Sequence, residues 1–96
     1  MNKYEIMFIV RPDMEEAEIK NTAEEAKKVL TEKNATIVEE KAMGQRELAY
    51  EIKDFKSGFY YLVNLEANDD AAIAEFDRQA KNTSDIVRHL ITRIED

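Results

Sequence analysis

Phe59-Tyr60-Tyr61-Leu62-Val63-Asn64-Leu65 is the stretch from which the fold can be read. In an extended chain Phe59, Tyr61, Val63 and Leu65 share one face, and Tyr60, Leu62 and Asn64 share the other. Upstream, Asp54-Phe55-Lys56-Ser57-Gly58 reads as a hairpin connection. Before it, Ala35 to Ile52 alternates loosely around Gly44, which predicts one long strand, or two pieces with a bulge near that glycine. Downstream, Asn68-Asp69-Asp70 opens a helix whose apolar stripe is Ile73, Phe76 and Ala80. Asn82-Thr83-Ser84-Asp85 breaks that helix, and Ile86 to Ile94 is a last strand.

The beginning of the chain supplies one more strand and helix. Tyr4, Ile6, Phe8 and Val10 fall on one side of a strand and Met7 and Ile9 on the other, so both faces are apolar and the strand is central. Arg11-Pro12 ends it. Asp13 is read as the start of a helix, with Glu16 completing a capping box and Glu15 favoured by the positive end of the helix dipole. Ile19, Ala23, Ala26 and Leu30, with Val29 beside them, form its apolar stripe, and Asn34 suits a left-handed terminator. The order is β-α-β-β-α-β, a split βαβ, ferredoxin-like α+β fold in which a four-stranded antiparallel sheet carries both helices on one face. The right-handed crossover rule puts the first and third strands in the centre. The other face is left uncovered. Met7, Ile9, Tyr60 and Leu62 project there from adjacent strands, and such an apolar patch marks a binding surface.

Composition bounds what this fold does. The 96 residues make a single domain spanning 1–96, with 44% hydrophobic residues for one core and 36% charged residues for its surface. Cysteine is absent, which excludes a disulfide framework, thiolate chemistry and a zinc ribbon, and suits a reducing cytoplasm. No apolar run reaches membrane-spanning length. Met1-Asn2-Lys3-Tyr4 leads straight into the strand pattern, so no signal peptide is expected.

No catalytic constellation emerges. His89 is a lone histidine within a strand, where a packed or surface role is the ordinary one. Glu39 and Glu40 are neighbours in a strand and point to opposite faces, so they make no acid/base pair. Asp69-Asp70 is accounted for by a helix start. Gly44 and Gly58 stand alone and build no phosphate-cradling loop. No cofactor, metal site or small-molecule substrate is expected.

The net charge of −7 is the wrong sign for a nucleic-acid binder, whose affinity comes mainly from Lys and Arg neutralising phosphates. Its distribution softens that objection. Residues 13–33 hold seven acids and four bases, and residues 68–83 four acids and two bases, so the helices carry five of the seven excess negative charges. Lys3, Arg11, Arg46, Lys53, Lys56, Arg88 and Arg93 sit on strands or their ends, where a local basic surface is feasible.

Three segments resemble the bacterial small-subunit ribosomal protein family numbered six, in order and spacing over essentially the whole chain. They are Lys3-Tyr4-Glu5-Ile6 with Ile9-Val10-Arg11-Pro12; Gly44-Gln45-Arg46-Glu47-Leu48-Ala49-Tyr50-Glu51-Ile52 with Gly58-Phe59-Tyr60; and Glu75-Phe76-Asp77-Arg78 through Ile86-Val87-Arg88-His89. Leu48-Ala49-Tyr50 behind Gly-x-Arg is the most specific piece. The resemblance implies a structural constituent of the small ribosomal subunit, cytoplasmic and without catalysis. It also implies binding to the central domain of small-subunit ribosomal RNA together with ribosomal protein eighteen, which supplies much of the basic charge. It marks Lys3, Arg46 and Arg88 as RNA-facing, and Tyr50, Tyr60 and Leu62 as candidates for the partner- or RNA-proximal surface. The family commonly has arginine where this chain has Asn2 and a second cation where it has Glu47, which implies weaker and less salt-dependent RNA contact. Gln79 and Asn82 replace apolar residues and should thin the packing late in the second helix.

Two other functions fit the same topology. A ligand-sensing or oligomerising module would pair through the uncovered face. A small hydrolase of the acylphosphatase type would need a glycine-rich anion loop after the first strand, which Arg11-Pro12-Asp13 lacks.

Overall fold

The computed structural model describes residues 2–94; Met1 and the Glu95-Asp96 end lie outside them. Strand β1 (Asn2–Val10) is followed by helix α1 (Glu16–Glu32), β2 (Thr36–Ile52), β3 (Phe55–Ala67), α2 (Ala71–Asn82) and β4 (Ile86–Ile94). The strands pair antiparallel in the order β2-β3-β1-β4, so the first and third are central, as the crossover rule requires.

The alternation read in the sequence sets the two faces of the sheet. Ile6, Phe8, Val10, Val63 and Leu65 all point to the helices and are essentially fully buried, with Tyr4 close behind. Ile19, Ala23, Ala26 and Leu30 of α1 and Ala72, Phe76 and Ala80 of α2 close on them, while Ile73 is only half-buried. Phe8 stacks on Tyr61 at 5.3 Å and meets Phe76 at 5.9 Å. Small residues on both helices bring the backbones close, and the large rings fill the space between the layers. Lys27 ties α1 to β2, its ammonium lying 2.7 Å from Glu24 and 2.8 Å from Glu40, and hydrogen bonds to these carboxylates raise its pKa. His89, on the helix side of β4, bonds Asp77 of α2 at 2.7 Å and lies edge-on to Phe76, which is the packed role expected of it.

Several local expectations are corrected. Helix α1 begins at Glu16, not Asp13, and its N-cap Glu15 makes no side-chain capping bond. The Asp13 carboxylate is instead held in a fork by Arg11, at 2.6 and 2.8 Å, and the same guanidinium lies over the Phe55 ring. Pairing with Arg11 draws the Asp13 pKa below its ordinary value. At α2 it is Asp69 that accepts the Ala71 N–H, while Asp70 stands at the cap. Gln79 and Asn82 face solvent, and Gln79 lines a small hollow between α1 and the end of α2.

The hairpin is tighter than Asp54–Gly58. Ile52 pairs with Phe55, and the turn is Lys53-Asp54 alone, with φ of 51° and 69°. Two successive positive φ values describe a type I′ turn, whose usual signal is Asn-Gly or Asp-Gly, and this one has no glycine. Gly58 serves a different purpose inside β3. A Cβ there would collide with the Ile9 side chain and crowd the Val10 carbonyl oxygen at 3.2 Å. Asn34 (φ 68°) ends α1 in the left-handed conformation, as expected, and Gly44 (φ 80°) marks the bulge expected within one continuous β2.

Candidate nucleic-acid interface

The face away from the helices is populated through the register. Ile9 lies beside Tyr60 on β3 and Arg88 on β4; Met7 lies between Leu62 and Leu90; Lys3 lies between Glu66 and Ile94. On β2, Lys41 faces Leu62, Gly44 faces Tyr60 and Arg46 faces Gly58. Paired residues in an antiparallel ladder point to the same side, so this face carries the cations Lys3, Lys41, Arg46 and Arg88 against the carboxylates Glu5, Glu39 and Glu66. In a chain of net charge −7 it is the side with a small cationic excess. Arg93, by contrast, pairs with Tyr4 and so belongs to the helix face, which removes it from the basic surface. Arg11 is taken up by Asp13 and Phe55, so the residue on which acyl-phosphate chemistry would have to rest is already paired.

One feature of β2 shapes this face. Glu47 pairs with Ser57 and Ile52 with Phe55, so Leu48, Ala49, Tyr50 and Glu51 stand opposite the single residue Lys56. The surplus backbone bows out of the ladder. It carries Tyr50 over the sheet, where the phenol oxygen accepts a hydrogen bond of 2.8 Å from Arg88 Nη1. The two residues belong to opposite edge strands, whose backbones are separated by about 14 Å at the usual strand spacing. Beneath this bridge Met7, Ile9, Leu48, Tyr60, Arg88 and Leu90, among others, line a hollow of about 210 Å³.

The predicted residues therefore fall into two places. Arg46, Arg88, Tyr50 and Tyr60 gather at the end of the sheet where β2 bows, with Leu62 one step along β3. Lys3 lies six residues away from Ile9 along β1, about 20 Å distant, and does not join them. Arg46 is exposed and bonds the Met43 carbonyl at 3.3 Å. Tyr60 and Leu62 are half-buried and Tyr50 is exposed. The apolar patch differs from expectation in one member: Ile9 is 3% exposed, because it sits over Gly58 in the hollow beneath the bow. Leu90, at 52%, and Ile94, at 40%, contribute exposed apolar surface on β4 that the sequence reading left out. The alternation Arg88, Leu90, Thr92, Ile94 was the signal that could have found them. Further along the same face, the buried Asn64 Oδ1 has no hydrogen-bond partner among the described residues.

No helix among the described residues is long and apolar enough to cross a membrane, and none of their acidic or histidine side chains gather as a metal site.

The family model described as Ribosomal protein S6 matches residues 3–93 of this chain. Among solved structures, the crystal structure of 30S ribosomal protein S6 from Thermotoga maritima superposes with a TM-score of 0.92 at 33% sequence identity, over 97% of this chain and 87% of that one.

Proposed function

This chain belongs to the ribosomal protein S6 family, structural proteins of the small ribosomal subunit and not enzymes, and we propose that it binds the central domain of the small-subunit RNA jointly with ribosomal protein eighteen. The observation that carries this reading is the division of charge between the two faces. Most of the excess acid rides on the helices, while the open face combines four cations, set against three carboxylates, with an apolar strip. Apolar surface suits a protein partner, and isolated guanidinium groups suit phosphates.

Few cations mean few displaced counterions, so the chain alone holds RNA weakly and the basic partner raises the affinity of the pair. Arg46 and Arg88 face the RNA at the bowed end, and Lys3 makes a separate contact at the other. Tyr50, Tyr60 and Leu62 belong to the contact surface, and the complex resides on cytoplasmic ribosomes. A gel shift with central-domain RNA tests this: weak or no retardation by the chain alone, and a discrete complex when ribosomal protein eighteen is added. No retardation under either condition rejects the proposal.

A further inference from the structure

We infer that the hollow under the bow of β2 is a receptor for one unpaired RNA base, stacked on the rings of Tyr50 and Tyr60, with the phosphate of the same nucleotide on Arg88. This deepens the RNA-binding reading above and rests on it, except that the site has a test of its own.

Three observations carry it. The first is chemical composition. The hollow is lined by two tyrosines, the apolar side chains of Met7, Ile9 and Leu90, and a guanidinium, and these match the parts of a nucleotide: a flat π-surface and an adjoining anion. Proteins that take up single-stranded RNA commonly splay out bases and stack them on aromatic or guanidinium planes. The second is placement. Tyr60 lies on β3, a central strand of a four-stranded open sheet, which is where sheet-based RNA readers present their stacking rings. The third is size. A hollow of about 210 Å³ is below the range of pockets that enclose drug-sized ligands, and has room for a single ring system.

The bridge supplies the mechanism of entry. Arg88 is exposed and, among the described residues, its hydrogen-bond partner is the Tyr50 hydroxyl. That bond joins the bow to β4 and leaves other guanidinium donors for a phosphate. A duplex cannot use the hollow, because its bases are stacked inside. An unpaired position in a loop or junction can.

The test uses two probes. In the first, a mixed-sequence single-stranded hexaribonucleotide is titrated into the full chain, and the tyrosine ring protons are followed by NMR. Shifts confined to Tyr50 and Tyr60, and absent when the same hexamer is presented as a duplex, are expected. No shift, or equal shifts with the duplex, overturns the inference. In the second, Tyr50→Leu and Tyr60→Leu are compared with Tyr50→Phe and Tyr60→Phe in the complex of central-domain RNA with ribosomal protein eighteen. The leucine variants should lose roughly tenfold or more in RNA affinity and the phenylalanine variants little, and that loss should exceed any change in binding to ribosomal protein eighteen. Leucine variants that lose the protein partner instead show that the hollow takes a side chain of that partner, which overturns the base assignment. Hexamer shifts from a chain that forms no complex with central-domain RNA and ribosomal protein eighteen would keep the base receptor and reject the ribosomal partnership.

Discussion

The guanidinium of Arg88 on β4 reaches the hydroxyl of Tyr50 on β2 across the two central strands, at 2.8 Å and a sequence separation of 38. The contact exists because four residues of β2 stand opposite one of β3, and the surplus chain bows over the sheet. A side chain predicted to face RNA and one predicted to face a partner are thereby parts of one structure.

Removing Arg88 and Arg46 should therefore affect binding and leave the fold alone. Both side chains are exposed and outside the core, where substitutions usually change stability by no more than about 0.5 kcal/mol. Arg88→Ala and Arg46→Ala should each weaken assembly on central-domain RNA and reduce its salt slope by about one, with thermal melting nearly unchanged. Lys3→Ala should add independently to either, because it lies at the far end of β1. Normal assembly by the Arg46→Ala, Arg88→Ala double variant would refute the assignment.

Gly58 should prove intolerant of a single methyl group. The added Cβ meets the Ile9 side chain and the Val10 carbonyl, in a region where Ile9 is already enclosed. Overpacking of this kind costs roughly 1–3 kcal/mol, and each kcal/mol moves the melting point of a domain this size by about 4–8 °C. Gly44→Ala is the control. Its Cβ would enter open space, and only its φ of 80° opposes the substitution, a cost of about 1 kcal/mol. Thermal denaturation of the two variants checks the order: Gly58→Ala lower than Gly44→Ala.

The contrast between these glycines shows what the sequence made legible. Gly44 interrupts an alternating run, so a bulge could be read there directly. Gly58 looked like part of a turn because glycines usually sit in turns, whereas the actual turn, Lys53-Asp54, takes up positive φ without one. Its true constraint, the approach of Ile9 from the neighbouring strand, is a tertiary contact that no local pattern encodes. The same holds for the site. Alternation placed Tyr60, Leu62 and Met7 on the open face correctly, because side-chain period in a strand is local. The burial of Ile9 and the meeting of Tyr50 with Arg88 depend on a four-residue mismatch between β2 and β3, which appears only when the strands are paired. Asp13 illustrates a competition: it had the right spacing for a helix cap, and a bidentate arginine two residues away bound it instead.

Asp77 should make the seam between α2 and β4 sensitive to acid. Its carboxylate accepts a hydrogen bond from Lys81 at 2.8 Å and one from His89 at 2.7 Å, and these two partners hold its pKa below the ordinary value of 3.8. A carboxyl whose folded pKa lies below its unfolded one stabilises the fold at every pH above the unfolded value, and loses that contribution as pH falls through the folded value. Asp77→Asn removes the charge at all pH values. Wild type should therefore melt higher than Asp77→Asn at neutral pH, and the gap should shrink as pH drops below about 4. The gap should remain at pH 5, where the Asp77 carboxylate is still ionised. Melting curves at pH 7, 5 and 3 decide the matter. A gap that is constant across all three would show that the bonds of Asp77 to His89 and Lys81 contribute by shape and not by charge.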